Sequence, residues 1–398
     1  MCRIVSLIGG ILLVAVGGLA ANAQSPARTL YEQQKEEINQ ITVSIVVSGM
    51  RCTCARFAED IRNVVNDLRP DGVRVLPILG VGGIQNLQDV LFLKGVDMGT
   101  VDQDHLEFLE NKDPVLYANL QNRVKYITKL YNSEFQIAAR KEFTSLSDLQ
   151  GKRVSFNLEN SHTHIAADII FGMMGLTTEK TFHDNDEAFQ LLSTGKLDAH
   201  IVLTGAPQSG IARIKAADGI HLLPLSEDDL PAEAKDQLYK RYLPADLTHE
   251  HYPELIAEGQ TVPTIATRTA LAVYNWDPAS LRYRKLERFV QEFFSKIGEF
   301  NHKSRHPKWA EVNLAADIPG WQRFKPAQDW LDGNRNAPAA GLDPAGDGDG
   351  DIRVAFEKFL ASYRQSAGQA PLSEQDRAQL FTQFKQFLAF QNARAESQ

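Results

Sequence analysis

Apolar positions along this chain alternate between a strand rhythm and a helix rhythm. Ile41 to Val47 (ITVSIVV) is a β-branched run and reads as a buried strand. After the loop Ser48 to Thr53, residues Ala55 to Leu68 carry apolar positions at Phe57, Ile61, Val64, Val65 and Leu68, the spacing of an amphipathic helix. The pattern then repeats. Val73 to Leu79 reads as a second strand, Gly80-Val81-Gly82-Gly83 leads into a helix over Ile84 to Leu93, and Val96 to Val101 reads as a third strand closed by Asp102-Gln103-Asp104. Strand–helix alternation with short loops predicts a parallel-rich sheet that binds ligands at the carboxyl ends of its strands.

The pattern returns further on. Tyr126 to Leu130 and Gln136 to Ala139 read as two strands crossing between lobes, and a second strand–loop–helix series starts at Lys152. There a short strand, Val154 to Phe156, runs through the polar turn Asn157 to Thr163 into a helix ending near Gly175. A second helix ends at Thr194-Gly195, and the strand after it opens into Thr204-Gly205-Ala206-Pro207. Val262 to Tyr274 reads as a returning strand and Leu281 to Ile297 as a long amphipathic helix. Two α/β lobes joined by crossing strands make a hinged clamshell with its ligand between the lobes.

The ends of the chain add to this picture. Met1 to Ala23 reads as a cleavable secretory leader: Arg3, an apolar run over Ile4 to Leu19, and the small-residue signal Ala21-Asn22-Ala23. Removing it leaves roughly 375 residues, enough for two lobes and an extension. Gly320 to Gly350, rich in Pro, Gly, Ala and Asp, reads as a linker, and Asp351 to Gln365 and Ser373 to Ala393 as amphipathic helices. The expected organisation is a leader over 1–23, a first lobe over 38–135 and 262–310, and a second lobe over 136–261. A linker over 320–350 and a C-terminal helical extension over 351–398 complete it.

A net charge of -8 with scattered basic residues argues against a nucleic-acid partner. Beyond the leader only Cys52 and Cys54 remain, and three readings compete: two inert thiols first, then a local disulfide, then half of a metal site. His162-Thr163-His164 and His249-Glu250-His251 place donors two residues apart, short of the spacings that metal motifs use. Asp347-Gly348-Asp349-Gly350-Asp351 starts like a calcium loop but has Ile352 and Lys358 at its sixth and twelfth positions, and reads as an acidic linker. No metal and no cofactor is expected.

The most informative chemistry lies at the start of the helix after Asn157. First-turn amides lack intrahelical partners and the helix end is partly positive, which suits a carboxylate or phosphate near Ser161 and Thr163. The loop with Gly205 and Pro207 can face the same cleft. Arg51, in the loop after the first strand, supplies a guanidinium suited to a ligand carboxylate. No nucleophile paired with a base is recognisable, so binding rather than catalysis is expected.

Over roughly residues 38–310 the chain resembles the TAXI group of solute-binding proteins, which serve TRAP-type transporters. The resemblance is carried by VSIVVSGMRCTCARFAEDI, LGVGGIQNLQDVLFLKGVDMGTVDQD, YITKLYNSEFQIAA, GKRVSFNLENSHTHIAADIIFGMMGL, LLSTGKLDAHIVLTGAP and TVPTIATRTALAVY. It implies an α/β, two-lobed, periplasmic-binding-protein-like clamshell of type II, here with a C-terminal helical extension. It also implies ligand contacts from the first strand-end loop, where Gly49 and Thr53 keep part of the family pattern, and from Asp104 at the third strand end. Tyr131 stands at the family's cleft tyrosine, and Asn160-Ser161-His162-Thr163 at its Gly-Ser-Gly-Thr helix start. The implied activity is that of a non-enzymatic periplasmic receptor for a small anionic metabolite, carboxylate or amino-acid-like, partnered by TRAP-type membrane permease subunits. The alternatives are a periplasmic sensor or adaptor acting through the C-terminal helices, or a cysteine- or metal-dependent enzyme.

Overall fold

The computed structural model describes residues 28–69, 71–225 and 230–334. The expected leader, the remainder of the linker, the calcium-like acidic run and the C-terminal helices lie outside the described residues. The chain divides into two compact units, residues 1–40 and 41–398. The first contains most of α1 (Leu30–Ile41), a helix with no buried residue.

The second unit opens with β1 (Thr42–Val47), α2 (Thr53–Val65), β2 (Arg74–Leu79), α3 (Ile84–Phe92), β3 (Met98–Asp102), α4 (Asp104–Lys112) and α5 (Leu120–Arg123). β4 (Val124–Arg140) then leads to β5 (Arg153–Ser155), α6 (His162–Met173), β6 (Glu179–Thr181), α7 (Asn185–Ser193), β7 (Ala199–Thr204) and β8 (Ile220–Leu222). Last come α8 (Ala232–Arg241), β9 (Leu243–Thr248), β10 (Thr261–Tyr274), α9 (Leu281–Ser295) and α10 (Lys325–Gly333).

The strands form one mixed sheet in the order β2-β1-β3-β10-β4-β7-β5-β6, with β8 against β4 and β9 against β10. β1 pairs in parallel with β2 and β3, and β5 pairs in parallel with β6 and β7. Between these parallel groups run the long antiparallel strands β4 and β10, each serving both lobes. The fold is therefore the two-lobed α/β clamshell of the type II class, with a parallel group at the heart of each lobe.

Each lobe has its own core. In the first, Phe57 and Ile61 of α2 meet Phe289 and Phe293 of α9, all at most 1% exposed, and Trp309 stacks on Phe57 at 4.1 Å. In the second, Phe135, Phe156, Ala167, Ile170 and Phe171 bury the inner face of α6. Each such side chain contributes about 1.5–3 kcal/mol by leaving water, so it is packing that holds the strand-end loops in place.

Two expectations are corrected. The crossing strands expected over Tyr126 to Leu130 and Gln136 to Ala139 are one strand of 17 residues, because the intervening polar residues are paired rather than looped out. Ser133 Oγ lies 2.8 Å from Thr269 Oγ1, and Glu134 accepts the Lys308 ammonium and, at 2.7 Å, the Ala206 amide. The stretch 320–334, expected as linker, completes the first lobe: Trp321, Phe324 and Ala327 are buried and α10 packs on α9. No helix among the described residues is long and apolar enough to cross a membrane.

Candidate functional site

Helix starts from both lobes converge on one cavity of about 60 Å³. Cys52 and Cys54 bring the start of α2 to its wall, Gly83 the start of α3, Ser161 to Thr163 the start of α6, and Asn185 that of α7. The first-turn amides of an α-helix have no intrahelical acceptor, and each helix start carries about half a positive charge. At α3 the cap is Gly83, which offers no side-chain acceptor. The volume holds roughly four water molecules, given that one needs 10–15 Å³ on this measure. It suits a group of few atoms.

The hydroxyls at α6 are positioned by their acceptor role. Ser161 Oγ accepts the His164 amide at 3.3 Å and Thr163 Oγ1 accepts the Leu203 amide at 3.0 Å, which ties α6 to β7. A hydroxyl that accepts from the backbone still has its own hydrogen to donate. Tyr131, 1% exposed, also lines the cavity, with its ring 4.5 Å from that of Phe57; burial lifts its phenol pKa well above the ordinary value.

The basic side chain on the cavity wall is His162; Arg51 lies outside that wall. His162 sits at the first position of α6, and its Nδ1 lies 2.6 Å from Asp102 Oδ2 at the end of β3. Its Nε2 lies 3.2 Å from Asp104 Oδ2 at the start of α4. Burial pulls the imidazole pKa down, but the charges of Asp102 and Asp104 outweigh it and lift the pKa to about 10. Burial raises the Asp104 pKa, and His162 more than reverses this and holds it below the usual carboxylate range. Thr269 Oγ1 donates to Asp102 Oδ1, and Tyr242 OH donates to Asp104 Oδ2 at 3.4 Å. His105 packs edge-on to His162 with ring centroids 4.2 Å apart, and burial pushes its pKa down to about 4.

Other expected site residues hold the lobes together. Thr53 donates its hydroxyl to Gly205 O at 2.6 Å and its amide to Thr204 Oγ1 at 3.2 Å, both across the cleft. Gly205 leaves room for this contact: a β-carbon there would stand 3.0 Å from the Tyr131 ring and 3.1 Å from the Thr53 methyl, so both would have to give way. Pro207 follows in a cis peptide. Arg51, expected as the ligand's charge partner, pairs with Asp186 away from the cavity wall, and its carbonyl accepts Gln208 Nε2 at 3.4 Å. Gly49 accepts the Cys52 amide in the same loop, also outside that wall. Asn160 adopts φ 62° and borders a separate cavity of about 470 Å³ between α3, α4 and the start of α6.

The cysteine readings are reordered. Cys52 and Cys54 form a disulfide at the start of α2, so neither is an inert free thiol or a metal ligand. The paired histidines do not assemble either: His164 meets Asp168, and His249 bonds Ile256 O. What sequence reasoning missed is Asp102, His105 and Thr269. Their signal is weak, since each lies at a strand or helix end or inside an element and finds its partners only through folding.

Residues 63–314 match the model of the NMT1-like family. Among solved structures, one from Bordetella bronchiseptica RB50 is 12% identical with a TM-score of 0.43, over 81% of this chain and 89% of its own. A periplasmic transporter is 11% identical with a TM-score of 0.41, over 63% and 83%. An ancestral arginine-binding protein bound to glutamine is 14% identical with a TM-score of 0.37, over 64% and 92%.

Proposed function

We propose that this chain, which belongs to the NMT1-like family, is an extracytoplasmic receptor that closes on a small anionic solute and hands it to a TRAP-type membrane permease. The observation that carries the reading is the meeting of helix starts from both lobes at one small cavity whose walls also present hydroxyl donors. Such a site stabilises a carboxylate or phosphate without a dedicated arginine.

The cross-cleft bonds of Thr53, His162 and Arg51 supply the second requirement of a receptor, a closed form with its own contacts. A ligand bridging both lobes adds to these and shifts the population towards closure. A permease then has a conformation to recognise. The resemblance to the TAXI group supports the transport partner and export through the leader. Cys52 and Cys54 are joined to each other and the Ser161 hydroxyl serves as a helix cap, which favours binding over nucleophilic catalysis.

The test is calorimetry and thermal shift of the mature chain, stripped of bound solutes by unfolding and refolding, against carboxylates, amino acids and phosphates. A true ligand at 100 times its Kd stabilises the fold by about 2.7 kcal/mol. Thr163→Val keeps the side-chain volume but removes both the donor and the acceptor of the Leu203 amide, so in a variant whose melting temperature shows it folded it should weaken that ligand about tenfold. Stabilisation by no anion in the panel would overturn the reading.

A further inference from the structure

The cluster at the cavity wall has more donor atoms than its hydrogen bonds use. Asp102, His105 and His162 each offer one ligand atom, and these atoms all lie within 4.8 Å of one another. His105 is 1% exposed and its Nε2 has no hydrogen-bond partner; Asp104 Oδ1, at the edge of the same cluster, has none either. Even with His162 protonated, two carboxylates face one imidazolium, and an excess buried charge is costly. A divalent ion replacing the His162 Nδ1 proton, with both imidazoles neutral, balances the two carboxylates.

We propose that Asp102, His105 and His162 bind a divalent cation of the zinc type, with one coordination position open to the cavity. Two imidazoles and a carboxylate are the donor set that suits zinc and its transition-metal neighbours, whereas calcium and magnesium prefer oxygen ligands throughout. Three protein ligands leave a fourth position for a small molecule. Both Asp102 and His162 line the cavity, so an anionic solute can take that position.

The groups that orient metal ligands are already in place. His162 Nε2 faces Asp104 Oδ2 at 3.2 Å, the carboxylate–histidine pairing that fixes an imidazole for coordination through its other nitrogen. Asp102 is held through its second oxygen by Thr269. Nδ1 of His105 accepts the Asp102 amide at 3.3 Å and Nε2 has no partner, so coordination through Nε2 shifts the ring's proton to Nδ1 and requires that amide to move away. Asp102 and His105 belong to the first lobe and His162 to the second, so the ion ties the lobes together. The proposal does not depend on the identity of any organic ligand.

The experiment uses zinc alone as the probe. The mature chain is stripped with a chelator, titrated with zinc by calorimetry, and assayed for metal after gel filtration. One zinc per chain is expected, and His105→Gln should weaken binding more than about 100-fold, beyond the loss typical of an orienting residue. Thr269→Val, which keeps all three donors, should weaken it about tenfold. Cobalt should give the visible bands of a four-coordinate nitrogen–oxygen site, and these should vanish in His105→Gln. The melting temperature of each metal-free variant shows whether it folds, and Thr269→Val remains informative if His105→Gln does not. Replacing His249 and His251 by glutamine should leave binding intact. No stoichiometric zinc, equal affinity in His105→Gln, or loss only on changing His249 and His251 would overturn the proposal and leave a hydrogen-bonded latch.

Discussion

Gly83 and His162 approach each other across the cleft so closely that a β-carbon on Gly83 would lie 2.5 Å from the His162 amide nitrogen. Gly83 also has φ 58°, a conformation that L side chains rarely adopt. Two helix starts, one from each lobe, can share a cavity only because no side chain stands between them.

Gly83→Ala is therefore a closure variant. It should weaken solute binding at least tenfold, and small-angle scattering with solute should show a larger radius of gyration than that of the parent chain. Unchanged affinity would mean that the lobes need not meet at this point.

The disulfide has a definite consequence. A chain expressed without residues 1–23, denatured and unreduced, should give no reaction with a thiol reagent, and reduction should release Cys52 and Cys54 together. Because the closed loop is so short, reduction should cost only about 1.5 kcal/mol of stability. Urea unfolding with and without reductant reads this directly.

Lys308 and Glu134 form an ion pair only 3% and 4% exposed, where β4 passes between the lobes. Lys308→Met strands a carboxylate whose pKa burial already raises, and should cost about 3–5 kcal/mol. Adding Glu134→Gln should recover part of the loss, a coupling that a double-mutant cycle in urea measures.

Stability should fall in mild acid. Burial holds the pKa of His200 at about 3 and that of His306 at about 4, below the ordinary value near 6.5. Each is neutral when folded, and the unfolded chain takes up a proton first as pH drops. The stability these groups contribute is complete above about pH 6.5 and is lost as pH falls towards 4. Fully buried His200 accounts for about 1.4 kcal/mol per pH unit in that window, so His200→Gln should flatten the urea midpoint against pH by about that slope.

Much of this fold is legible along the chain because its elements have strong local periods. The ITVSIVV run places β1 to within one residue, and the apolar spacing from Phe57 to Val65 marks α2. Legibility fails where pairing partners are distant. Asn132-Ser133-Glu134 looks like a break in a strand because its partners, Thr269, Lys308 and Ala206, are remote in sequence. At the site, the helix start at Ser161 is visible from its capping chemistry. Arg51 offers a guanidinium suited to a ligand carboxylate, yet folding brings it the carboxylate of Asp186, remote in sequence. The meeting of His105 with His162 has no spacing signal, because the starts of two helices from different lobes create it.

The most direct measurement is native mass spectrometry of the natively folded chain, before and after mild denaturation. The account predicts a bound acid of low mass that denaturation releases and that Gly83→Ala fails to retain. Protein that carries no such mass, and that also shows no thermal shift across carboxylates, amino acids and phosphates, would contradict it.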